Sequence, residues 1–212
     1  MSPPTGGSEM TPGAPGTKAA NGWTGTAILG FLAFGLTAIL YGLSQLPKPY
    51  SAGFTASVLG NTVTDVTLGG LVLLLVGLIG LLQGHAYWGS AFLGSAGFWV
   101  IWSTTGQTIQ STLTDPAGYA VAGIAFIWLL FTLTYLISSM KHGWGTFFGF
   151  LFLFVAIILS LIEAWQVGGA TKLATGTEWA AGGLWIVTGI VWWFKGTNDL
   201  TSHTYGRKIL PL

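Results

Sequence analysis

Asp199 and His203 stand four residues apart near the end of the chain, a spacing that sets both on one helical face and would offer a metal ion two ligands. A structural zinc needs about four. His85 and His142 fall in separate segments and the sequence contains no cysteine, so no metal site, thiolate nucleophile or disulfide is expected. Catalysis asks for a nucleophile, a base and an orienting group within reach of one another. These residues supply no such set, and the sequence predicts neither an enzyme nor a cofactor.

The remaining polar chemistry is sparse and almost uncharged. Glu163 sits near the end of a long apolar run, where a carboxylate either reaches interfacial water, the plainer role, or steers a solute at a vestibule. The other polar side chains inside apolar runs are neutral: Thr37, Ser44, Gln45, Gln83, Ser90, Ser95, Ser103, Thr132, Thr134, Tyr135 and Thr188. In membrane helices such hydroxyls bond to backbone carbonyls or to a neighbouring helix. A path lined by them suits a small polar solute better than a cation, and Thr37, Gln83 and Glu163 are the pore-lining candidates. Asn61 and Asp65 precede an apolar run, where they are expected to cap a helix start.

The elements that must position these groups are long apolar runs. About 20 mostly apolar residues span the hydrocarbon layer, and six such runs appear: Thr24 to Leu46, Thr67 to Gln83, Tyr87 to Thr104, Ala117 to Ser138, Trp144 to Trp165 and Trp179 to Lys195. The chain is 51% hydrophobic and 6% charged, too few charges for a water-soluble surface. The fold class predicted is an all-α membrane protein, a six-transmembrane-helix bundle over residues 23–198. Residues 1–22, rich in Pro and Gly, should form a disordered tail rather than a signal peptide, and 199–212 a cytoplasmic tail that folds back along the surface.

Six spans put both termini on one side. That side would carry Lys18, Lys141, Lys195, Arg207 and Lys208 against Lys48 and Lys172 on the other, which makes it the cytoplasmic face. The basic residues are scattered and the net charge is +1, so nucleic acid is not an expected partner. Trp23, Trp88, Trp144, Trp165, Trp179, Trp192 and Trp193 lie near span ends and are expected as interfacial anchors. Small residues recur at helical spacing, at Gly70, Gly77 and Gly84, Ser90 and Gly94, Gly118 and Ala122, and Gly145 and Gly149, which points to a tight bundle.

Several segments carry a family resemblance. "LGFLAFGLTAILYGL", Leu29 to Leu43, is similar to the first helix of the acetate uptake transporter family, the succinate–acetate permeases, and "YGRKILP", Tyr205 to Pro211, resembles the family's ending. "GLLQ" at Gly80 to Gln83, "FW" at Phe98 and Trp99, and "WLLFTLTYLISSMK" from Trp128 to Lys141 fall where members show related segments, so the likeness runs from about Gly25 to the end. Two features depart from the pattern. The family's Asn-Pro-x-Pro motif is reduced to "GTAILGF", Gly25 to Phe31, and Gln83 replaces a glutamate.

The resemblance implies a homohexamer in the cell inner membrane, each protomer with its own pore for acetate, succinate or similar small carboxylates, with or without protons. It also implies a hydrophobic constriction. Phe34 matches the aromatic of the first helix, Ser95 stands where a tyrosine is expected, and Leu153 takes the place of the family's leucine. Membrane lipid and a small carboxylate are the partners this predicts. Two alternatives remain open from the residues alone: a pore for urea, short amides or ammonia, and a non-conducting membrane scaffold subunit.

Overall fold

The computed structural model describes residues 22–46, 62–106, 116–168 and 175–207. Six helices run through them: α1 Gly22–Ser44, α2 Thr62–Leu82, α3 Ala86–Ile101, α4 Pro116–Ser139, α5 Trp144–Gly168 and α6 Thr175–Tyr205. A π-helical turn, Trp102–Gly106, prolongs α3. By length and composition, Trp23–Ser44, Tyr119–Ser139 and Trp144–Trp165 are apolar enough to cross a membrane, and Thr67–Leu82 is a shorter apolar helix. The six expected runs each correspond to a helix.

Tight turns at two points make neighbouring helices antiparallel. At the end of α2, Gly84 has φ of 82°, its amide donates to the Leu81 carbonyl at 3.0 Å, and the His85 amide donates to the Gly80 carbonyl at 2.8 Å. This pair of bonds closes a helix on a left-handed residue, which glycine adopts without steric cost. Gly143, φ 93°, occupies the turn between α4 and α5.

The helices form a closed circuit. α1 packs between α2 and α6, α2 against α3, and α5 between α4 and α6, while α3 and α4 meet more loosely. The closest approach is between α1 and α6. A Cβ built on Gly35 would lie 2.8 Å from the Gly189 carbonyl oxygen, and one on Gly189 would lie 2.5 Å from that of Gly35. Gly42 and Gly182 repeat this reciprocal contact seven residues away on each helix, at 2.7 and 2.9 Å. Without these four glycines the backbones could not touch, and such contact is what holds membrane helices together where burial from water supplies no driving force.

The α3–α4 seam is closed by side chains instead. The Tyr135 hydroxyl donates to Ser90 Oγ at 2.7 Å, and Trp128 meets Phe98 edge-on at 5.3 Å. Gly94, one of the small residues picked out by spacing, leaves room for the Phe131 ring, which would overlap any Cβ there.

One boundary departs from expectation. The sixth helix does not end at Lys195 but continues unbroken to Tyr205, and Gly206, φ 66°, terminates it. Hydropathy falls after Lys195, yet a helix needs only local bonds to continue. Lys195 pairs with Asp199 at 3.0 Å one turn on, and Thr204 Oγ1 donates to the Leu200 carbonyl. The expected fold-back of the tail rests on Lys208 to Leu212, which lie outside the described residues, as do Asn61 and residues 1–21 of the disordered tail expected over 1–22; Gly22 itself opens α1.

Candidate functional site

Aromatic side chains from four helices fill the axis of the bundle. On α1, Phe31, Phe34 and Tyr41 share a face; on α6, Trp185, Thr188, Trp192 and Lys195 do so at i, i+3, i+7 and i+10. α3 adds Trp88, Phe92, Ser95 and Trp99 at the same kind of interval, and α5 adds Phe150 and Leu153. Phe31 stacks on Trp192 at 5.6 Å between centroids and meets Trp88 edge-on at 4.8 Å. Farther along, Tyr41 meets Trp185 at 4.8 Å and Trp99 at 5.4 Å, both edge-on. Such edge contacts set the positive rim of one ring against the negative face of the next.

Two small voids interrupt this packing, one on each side of a partition that Phe34 and Ser95 share. The first, about 20 Å³, is bounded also by Trp88, Phe92, Phe150 and Trp192. The second, of similar volume, is bounded also by Trp99, Thr132, Leu153 and Trp185. Each has room for about one water molecule. Among the described residues, no formally charged side chain borders either void.

The void walls are rich in hydrogen-bond donors without acceptors. The indole Nε1 atoms of Trp192, at the first void, and Trp99, at the second, are buried and bond to nothing among the described residues. Trp185 differs, donating to Ser160 Oγ at 3.0 Å. An indole N–H can only donate, so each of these two rings carries an unmatched donor in a wall of a void that Ser95 also borders.

The sequence-derived residues are distributed unevenly. Phe34, Ser95 and Leu153, from three different helices, surround the second void together. Phe34 and Leu153 are 7% and 5% exposed, and the Ser95 hydroxyl donates to the Ala91 carbonyl at 2.8 Å. Thr37 is buried elsewhere: its hydroxyl donates to the Ala33 carbonyl at 2.7 Å and faces Gly69 of α2, where any Cβ would overlap it. Gln83 lies in the exposed turn after α2, outside the bundle, because Gly84 ends the helix just beyond Leu82. Glu163 is half-buried, one turn beyond Ser160 on α5 and away from both voids.

Lys195, whose charge in the sequence signals orientation, caps the axis. Its Nζ lies 4.6 Å from the Phe31 ring centroid and 5.9 Å from that of Trp88, while bonded to Asp199. A charged residue on the Trp185–Thr188–Trp192 face was the available signal. Trp23, Trp88 and Trp192 are likewise not interfacial: the first and last are 9% and 3% exposed, and Trp88 packs on Phe31. Position near a span end does not say which way a ring points. Trp144, Trp165, Trp179 and Trp193 do face outward.

The model of the GPR1/FUN34/yaaH family matches residues 7–208. The chain belongs to that family. It is the acetate uptake family that the first and last segments resemble, and its membership fits the six-helix membrane fold. Within the same fold, the bacterial acetate channel SatP superposes with a TM-score of 0.74 at 23% identity, over 89% of this chain and 98% of that one. An uncharacterized protein of Methanothermobacter thermautotrophicus is 28% identical over 200 residues, 87% of this chain and 89% of its own length.

Proposed function

We propose that this GPR1/FUN34/yaaH family member conducts small carboxylates, acetate foremost, along its axis, with Phe34, Ser95 and Leu153 as the constriction. The observation that carries the proposal is the pair of unpartnered indole donors at the two voids beside Phe34 and Ser95. A carboxyl group entering the axis loses water, which is costly unless other donors replace it. Trp192 and Trp99 supply a donor on each side of the partition, and the apolar rings between favour the protonated acid or a partly dehydrated anion. The superposition on a channel for acetate is in keeping with this reading.

The voids hold one water each, whereas acetate has four heavy atoms, so the described conformation is closed and ring rotation must open it. In the same proposal the protein is a homohexamer with one path per protomer, in the cell inner membrane with both termini cytoplasmic. Labelled acetate uptake into proteoliposomes under an inward proton gradient tests it. Uptake above empty vesicles, reduced by competing propionate and unaffected by acetamide, is expected. Inhibition by acetamide would make neutral solutes the cargo. The filled axis also suits a non-conducting scaffold subunit, and uptake equal to that of empty vesicles would establish that reading instead.

A further inference from the structure

Between the first turns of α5 and the Ile190–Asp199 stretch of α6 lies an open cleft of about 570 Å³. Its character changes with depth. Phe148, Phe152, Ile190 and Phe194 form the part nearer the bundle's middle, and Phe148 and Ile190 are 42% and 49% exposed, so this part opens onto the outer surface. Phe152 lies two turns, about 12 Å, from Trp144, and the polar end of the cleft begins there. It is formed by Lys195, Asn198, Asp199, the turn residues His142 and Gly143 and the first residues of α5.

That end offers donors and acceptors side by side. Lys195 Nζ and the amides that open α5 donate; helix-start amides have no partner within their own helix. Asp199 accepts, and so does Asn198, which is 7% exposed, walls the cleft and carries an Oδ1 with no hydrogen-bond partner among the described residues. That oxygen is sealed from solvent, whereas the Lys195 and Asp199 side chains keep 22% and 35% of their surface exposed, so the site suits a ligand that brings N–H groups as well as negative charge.

We propose that the cleft binds phosphatidylethanolamine from the leaflet at the end of the bundle where α1 begins. The phosphate faces Lys195 and the α5 amides, the ammonium group faces Asp199, and one acyl chain lies along Phe148, Phe152, Ile190 and Phe194. The paired Lys195 and Asp199 charges complement a zwitterion. A choline headgroup has no N–H to donate, and a glycerol headgroup has no cation for Asp199.

Native mass spectrometry of the full-length protein, titrated with phosphatidylethanolamine, phosphatidylcholine and phosphatidylglycerol of identical chains, tests the assignment. Ethanolamine lipid should be retained about tenfold better than either competitor, the scale of losing hydrogen bonds to charged groups. The preference should disappear in Lys195→Gln and in Asp199→Asn. Ile190→Trp, which fills the apolar part without touching the charges, should lower occupancy with the elution profile unchanged, and it decides the matter if the charge variants do not fold. Equal retention of all three lipids, or preference for phosphatidylglycerol that Asp199→Asn leaves intact, would overturn the proposal. So would an Ile190→Trp variant that dissociates the oligomer while keeping its lipid, since a second copy of the chain would then be what covers the cleft.

Discussion

Trp192 and Trp99 combine a large ring that packs with an N–H that does not bond, and substitution can separate the two. Trp192→Phe keeps a ring against Phe31 and Phe150 and removes the unpartnered donor. Removing an unsatisfied buried group is close to neutral, so the melting point should move by less than the equivalent of about 1 kcal/mol, while acetate uptake in proteoliposomes falls. An unchanged uptake would show the donor to be idle. Phe34→Ala joins the two voids that Phe34 divides. Its cost in stability is of the order of 3 kcal/mol, and uptake of acetate and of butyrate should both rise, by about tenfold if the barrier drops ~1.4 kcal/mol. Among the described residues Ser95 bonds only to its own helix, so Ser95→Ala should leave the melting curve in place, and any change it makes in uptake reports on the path alone.

At the scale of elements, glycine contacts make the sharpest forecasts. Gly189→Leu forces a side chain into the Gly35 carbonyl and should lower stability by about 1 to 3 kcal/mol or prevent assembly. Gly145→Ala, where nothing lies within 4 Å of the added carbon, should be silent in the same melt. Tyr135→Phe removes the hydroxyl that bridges to Ser90 and should cost about 1 kcal/mol at the α3–α4 seam. The helices themselves were legible because spanning a bilayer demands long apolar runs, and the turn after Gln83 was legible as "GHA". The four glycines that join α1 and α6 were not, since they belong to helices far apart in sequence and only the closed circuit brings them together. Phe34, Ser95 and Leu153 could be placed by resemblance and do surround one void. Thr37 and Gln83 border neither void, and a polar residue in an apolar run reveals neither its helical face nor where the helix stops.

Across the whole molecule, the exposed surface is as informative as the axis. Leu68, Leu71, Leu75, Leu78 and Leu82 form an exposed stripe along α2, with Leu75 at 61%, a face that meets either lipid or a neighbouring protomer. In the proposed hexamer, Leu75→Arg at such a contact should shift native mass spectra toward smaller species, whereas a lipid-facing site would show reduced insertion with the stoichiometry intact. The contrast between the two kinds of helix joint reaches further. Where α1 meets α6, main chain lies directly on main chain, with no rotamer able to turn aside. Where α3 meets α4, rings and tyrosine hydroxyl bridges do the joining. One joint of the wall is therefore welded and another is hinged, and in the proposed channel an opening wide enough for acetate swings at the hinged joint. Because the chain contains no cysteine, a short reducible bifunctional thiol crosslinker joining cysteines introduced at positions 90 and 135 would act as a bolt on that door, expected to stop uptake while intact and to release it when reduced.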